Sequence, residues 1–234
     1  MKKIIVCCAL AALFAVTAEA QRRGKGPVGA DGGAAVAKGR DAKVTIDIKP
    51  KAGGTCLVGT PSFQYNTGSG GQLLPPIAKK PRRWGVFEMK FTTYAKWQDE
   101  LTVTWYVMLD YTKAKEKDPK AEVAKYSFYN LQTRYVNLPQ GSHMACACLD
   151  PSTIERYGEP CTVVAIISNK EGDQLAIDGE DTAGLPDKWW ENDKVMSALD
   201  KKTKKPLIER RAGLVDRSKT PFALINSADY ELVQ

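Results

Sequence analysis

The segment His143-Met144-Ala145-Cys146-Ala147-Cys148 is the sharpest concentration of reactive side chains in the chain. In an extended strand successive side chains alternate between faces. Met144, Cys146 and Cys148 therefore share one face, and His143 points to the other. Three sulfurs on one face are a donor set for a soft ion such as Cu(I). A thiol or copper protein centred on Cys146 and Cys148 is accordingly one functional reading. The same residue types also bury readily in a core, and C-x-C without a second pair is not zinc spacing. The expectation is therefore no metal and no cofactor. Export would favour disulfides among Cys56, Cys146, Cys148 and Cys161, for which three pairings exist. Same-face neighbours on a strand lie ~6.6 Å apart by strand rise, which makes a Cys146–Cys148 bond awkward. The expected pairing joins Cys146 or Cys148 to Cys161, with the other bonded to Cys56 or free.

Acid–base chemistry has little to work with. The chain has one histidine, and its strand turns it away from the cysteines. No nucleophile elbow, HExxH motif or Cys–His neighbour pair is present. The acidic residues Asp173, Asp178, Glu180 and Asp181 surround a hairpin end without the spacing of a calcium loop. No catalytic residue is assigned, and a non-enzymatic role is expected.

Two features could bind a partner. Trp189-Trp190 could stack on sugars or anchor a protein, since tryptophan is enriched at interface hot spots. The run Lys201–Arg211 carries Lys201, Lys202, Lys204, Lys205, Arg210 and Arg211. Together they make a glycan- or polyanion-binding module the second reading. In an exported protein, acidic glycans, lipid headgroups or an acidic protein face are more sensible targets than nucleic acid.

These residues need elements to hold them. The 234-residue chain, with 34 Lys+Arg against 27 Asp+Glu, has a net charge of +7. Its 43% hydrophobic and 26% charged fractions are those of a globular protein and exclude wholesale disorder. Residues 1–20 read as a signal peptide: Lys2 and Lys3, an apolar run from Ile4 to Val16, then Ala18-Glu19-Ala20 for cleavage. That run is too short to span a bilayer. Residues 21–42 are rich in Gly, Ala and Arg and cannot offset their ordering entropy, so a flexible tail is expected. Residues 43–234 should form the folded domain.

Period-two patterns mark strands at Val44–Ile48, Trp84–Tyr94, Leu101–Leu109, Val123–Val136 with a break near Asn130, Ser142–Leu149, Cys161–Ser168 and Gln174–Asp178. The short link Ala95–Glu100 favours antiparallel pairing of the strands on either side of it. Asp150-Pro151-Ser152-Thr153 should begin a turn or one short helix, and Asn169–Asp173 should turn a hairpin. Pro186–Leu199 fits an amphipathic helix. Thr220–Ile225 and Tyr230–Val233 look like a final strand or docked tail. This pattern predicts a mainly β protein, an immunoglobulin-like antiparallel β-sandwich with long loops and a C-terminal helix/tail elaboration.

The stretch WGVFEMKFTTYAKWQDELTVTWYVMLD, together with the tail GLVDRSKTPFALINSADYELV, resembles exported proteins of Verrucomicrobia. It is similar to type IV pilus-associated, immunoglobulin-like proteins of the Akkermansia group. The resemblance runs from Trp84 to Val233 and contains no catalytic motif. It implies a β-sandwich accessory protein in the periplasm or at the cell surface, with a protein partner that could be a pilus component. The mature chain has no prepilin-type N-terminal helix. An accessory role therefore fits better than a polymerising pilin, and no membrane-spanning segment is expected.

Overall fold

The computed structural model describes residues 43–61, 81–112, 123–201 and 203–224, all within the unit Ala34–Gln234. The expected signal peptide, the tail at 21–42 and the segment Tyr230–Val233 lie outside these residues. Among the described residues, no helix is long and apolar enough to cross a membrane.

The protein is mainly β and sandwich-like. Eight strands belong to one hydrogen-bonded sheet: β1 (Val44–Ile46), β2 (Leu57–Gly59), β3 (Arg83–Asp110), β4 (Tyr126–Leu149), β5 (Glu159–Ser168), β6 (Gln174–Asp181), β7 (Ile208–Arg211) and β8 (Leu214–Asp216). The main path runs β6-β5-β3-β4-β7, with β1 and β2 on β3 and β8 on β4. The pairs are antiparallel except β4 with β7, which is parallel.

β3 and β4 organise everything else. They have 28 and 24 residues and pair from Asp110↔Tyr126 to Gly85↔Leu149. The expected turn at Ala95–Glu100 does not occur, so Trp84–Tyr94 and Leu101–Leu109 are two stretches of one strand. The physical reason is parity. Phe87, Met89 and Phe91 share a face with Leu101, Val103, Trp105, Val107 and Leu109, and all are fully buried. The polar link preserves that phase and contains no Gly, Pro or Asn to turn the chain. Val123–Val136 and Ser142–Leu149 likewise merge into β4, and no break occurs at Asn130.

A straight 28-residue strand would be roughly 90 Å long. β3 nevertheless contributes both halves of its buried face to one core cluster, so the ribbon folds back on itself. The fold-over sits at a register shift between Thr93 and Trp97 in β3. Opposite it, Asn137 (φ 56°) and Gly141 (φ 141°) flank Pro139 in β4. One layer holds β1, β2 and β8 around the N-terminal half of β3, and the other holds β5, β6 and β7 around its C-terminal half. Two ties close the far side. The Ala52 N–H donates to Glu180 Oε2 at 2.9 Å, and Lys49 Nζ lies 3.6 Å from Asp178.

The predicted hairpin is present. β5 and β6 pair around Asn169–Asp173, where Asn169 Oδ1 accepts from the Asp173 N–H at 2.7 Å. α1 (Pro151–Tyr157) is capped by Asp150, whose carboxylate accepts from the Ser152 and Thr153 N–H groups. It ends at Gly158 with φ 99°, where a Cβ would stand 2.1 Å from the Asp110 carbonyl oxygen.

The C-terminal elaboration is built differently from the expected helix. Pro186–Leu199 contains a 3-10 turn, Trp189–Glu191, and one short turn of helix, α2 (Asp193–Met196). Asn192 separates them in an extended conformation and accepts from the Lys194 N–H with its side chain. An Asn side chain that competes for backbone donors ends one helical turn and starts another. Of the two expectations for Thr220–Ile225, a final strand or a docked tail, the described residues fit the second: Pro221–Leu224 is a 3-10 turn whose Phe222 ring meets Trp84 edge-on at 5.9 Å, and the late strands are β7 and β8.

Candidate functional site

His143 points into the core from β4. Its Nε2 lies 3.0 Å from Thr93 Oγ1 and 2.9 Å from the Pro139 carbonyl, and its ring packs on Phe91 with centroids 5.3 Å apart. A carbonyl only accepts, so Nε2 is the nitrogen that carries a hydrogen here. The ring thereby clamps the two strands where the ribbon bends.

Cys146 and Cys148 occupy the opposite face, as alternation requires, with sulfurs 3.7 Å apart. β8 flanks Cys148 in the sheet, and the charge of Arg217, just after β8, acts on the Cys146 thiol. The hydrogen bond with Cys148, then burial, pushes the Cys146 thiol well up. Cys56 lies in the core on the other side of the sheet and donates to the Gly53 carbonyl at 2.9 Å. Cys161 occupies the register shift at the start of β5 and donates to the Met108 carbonyl at 3.4 Å. Burial pushes both of these thiols up to about 12.

All four are free thiols, so the expected bonds from Cys161 to Cys146 or Cys148, and from Cys56 to the remaining one, are not formed. Geometry explains this. The sheet itself separates Cys56 from the Cys146–Cys148 pair, and Cys161 sits beside the far end of β3 from Glu88, the residue opposite Cys146. Met144 is half-buried on the cysteine face. Among the described residues, no group of three His, Cys, Asp or Glu side chains converges as a metal site.

Trp189 and Trp190 are structural. They are 2% and 9% exposed. Trp190 stacks on Tyr106 at 5.0 Å, and Trp189 meets Phe128 edge-on at 5.3 Å. Tyr106 and Phe128 belong to the outer face of β3 and β4. The tandem tryptophans therefore fasten the C-terminal elaboration to the sheet and offer no open ring face to a sugar.

The basic run divides in the same way. Lys201, Lys204 and Lys205 are exposed on a turn organised by Asp200, which accepts from the Thr203 N–H at 2.7 Å. Lys202 lies outside the described residues. Arg210 lies over Phe128, centroid to guanidinium 5.5 Å. Arg211 donates to Ser127 Oγ at 3.1 Å, pairs with Glu209 and covers the Tyr157 ring at 3.9 Å. The arginines hold β7 to β4, so the expected patch reduces to turn lysines.

The acidic residues are also committed. Asp181 accepts from Thr162 Oγ1, the Ala183 N–H and the Leu185 N–H. Glu180 and Asp178 form the closing ties, and Asp173 belongs to the hairpin turn.

Among the described residues the large apolar side chains left facing solvent are Ile48, Val58, Tyr94, Trp97 and Leu199, and two of them are aromatic. Trp97 is 60% exposed and Tyr94 48%. Both lie at the register shift of β3, with Lys96 exposed between them and Lys43 Nζ 6.0 Å from the Tyr94 ring. The period-two pattern gave no signal for Trp97, which is in phase with the buried face and is exposed because the strand shifts register there.

No curated protein matches the chain. A crystal structure from Akkermansia muciniphila shares its fold at a TM-score of 0.57 and 20% sequence identity, covering 83% of this chain and 94% of the other. A protein-family model matches residues 58–234, well over half of the chain and all of the long ribbon, and the chain therefore belongs to that family.

Proposed function

We propose that this is an exported, non-enzymatic interaction protein that acts at the cell surface as an accessory of type IV pili, with the bend of the ribbon as its partner-facing surface. The exposed pair Tyr94 and Trp97 is the observation that carries the reading. Large aromatics left in solvent on an otherwise well-packed sheet are the residue types that anchor protein interfaces. The reactive groups support the same reading by their employment: His143 clamps strands, the thiols are buried, and the carboxylates tie loops. The fold shared with the Akkermansia muciniphila protein and the resemblance of Trp84–Val233 support the pilus association. The glycan reading loses its aromatic platform, because Trp189 and Trp190 are covered.

The test is capture of pilus components from the native host's surface fraction by the immobilised mature protein. The double variant Tyr94→Ala/Trp97→Ala should lose at least about tenfold in capture, as hot-spot truncation does, with its melting temperature nearly unchanged. Equal capture by variant and wild type would remove this surface from the reading. Capture of no pilus component by the wild type would remove the pilus.

A further inference from the structure

The outer face of β4 carries a graded row of side chains. Ser142 is exposed, Met144 is half-buried, Cys146 is 3% exposed and Cys148 0%. Pairing with β3 is unbroken from Gly141 to Leu149, so strict alternation holds. These four side chains therefore point away from the core that Ala145, Ala147 and Leu149 join. The row leads from solvent to two thiols, with a thioether on the way.

This pair differs from the other two cysteines in what it touches. Cys56 and Cys161 each donate to a backbone carbonyl, at 2.9 and 3.4 Å. Cys146 and Cys148 face one another at 3.7 Å, and the carbonyl contact of Cys146, to Ala147, is longer at 3.9 Å. That spacing is far from a disulfide, whose sulfurs sit ~2.05 Å apart. It suits a bridging ion. Two thiolates at the ~2.3 Å of a metal–sulfur bond, held 3.7 Å apart, subtend about 107° at the ion. That angle belongs to a trigonal or tetrahedral centre.

We propose that Cys146, Cys148 and Met144 form a Cu(I) site. The ion replaces both thiol protons, which leave to solvent, and no electron is transferred. Two thiolates and a thioether are an all-soft donor set, which selects Cu(I). A structural Zn(II) takes four ligands from thiolate, imidazole and carboxylate. Among the described residues, no further His, Cys, Asp or Glu joins the pair. Cu(I) is complete with two or three sulfurs. Met144 lies at the solvent end of the row, where it meets an incoming ion first and hands it inward to the thiols.

Charge agrees with this assignment. Cu(I) between two thiolates leaves one net negative charge. Arg217 is 8% exposed, and its charge acts on the Cys146 thiol. The Phe222 and Ala223 carbonyls fix its guanidinium at 2.9 and 3.3 Å. A fixed, buried cation offsets the charge of the loaded pair. Lys90, opposite Met144 on β3, adds to it. Glu88, opposite Cys146, works against it but is exposed, where water and salt screen it.

The reduced mature protein, titrated anaerobically with Cu(I) against the chelator bathocuproine disulfonate, should retain one ion per chain. Met144→Leu nearly keeps the volume and should weaken binding roughly tenfold or more. Cys146→Ala/Cys148→Ala should abolish retention, whereas Cys56→Ala/Cys161→Ala should leave it unchanged. X-ray absorption on the copper-loaded wild type needs no variant and should show sulfur alone around the ion. A wild type that yields all its Cu(I) to the chelator, equal retention by Cys146→Ala/Cys148→Ala, unchanged affinity in Met144→Leu, or nitrogen around the ion would overturn the proposal. So would a Cys146–Cys148 disulfide in peptides of unreduced protein from the host envelope, because the sulfurs would then be spent in a bond.

Discussion

Cys56 and Cys161 behave as apolar side chains that carry a proton. An unfolded thiol loses its proton near 9, whereas burial holds these two up to about 12. Between those values the unfolded chain binds fewer protons than the folded one, so stability falls as pH rises through that window. It is fully present below about 9. Chemical denaturation at stepped pH should show this loss, and Cys161→Ala should flatten its slope. An unchanged slope in the variant would reassign the loss to other groups. All four thiols should resist alkylation until the protein is unfolded, because all four are buried out of reach of the reagent. The alternation of His143 against Cys146 and Cys148 was legible from spacing alone and holds. The bonding partners of the cysteines were not, because sequence distance does not say which side of a sheet two thiols occupy.

The elements show where local pattern suffices and where it fails. β5, β6 and their turn were readable because Asn169–Asp173 combines turn residues between two clean period-two runs. The start of α1 was readable from Asp150-Pro151 as a turn or one short helix, and the helix is the one that forms. The length of β3 was readable in principle, since Phe91 and Leu101 keep the same phase, but a polar link of six residues resembles a turn when phase is ignored. β7 was hidden because IERR has no strand pattern of its own. It is a strand because the β4 edge supplies hydrogen bonds and Phe128, Ser127 and Tyr157 receive its arginines. The tandem tryptophans illustrate the same competition, since exposed and buried tryptophans look alike in a sequence. Trp189→Ala should cost about 3–5 kcal/mol in equilibrium unfolding, the range for removing a large buried aromatic. A cost below about 1 kcal/mol would mean that the elaboration is not fastened by this ring.

At the scale of the whole molecule, one core cluster runs from Phe87 and Ala147 in one layer to Val163 and Leu175 in the other. A single contiguous core predicts a single cooperative transition. Far-ultraviolet dichroism, dominated by both layers, and labelling of Cys146 and Cys148, which reports one layer, should give the same denaturant midpoint. Labelling that precedes the loss of dichroism would show that the first layer opens alone.

The fold-over of β3 and β4 also limits how the molecule can move. Two independent sheets can slide past each other by exchanging side-chain contacts. Here the layers are joined by two unbroken strands that cross together, so relative displacement of the layers must be absorbed at Thr93–Trp97 and Asn137–Gly141. Small rotations of one layer are thereby delivered to the short stretch that carries Tyr94, Trp97 and the His143 clamp. A partner seated on those rings would hold the joint between the layers as well as the surface, and would stiffen both layers from one point.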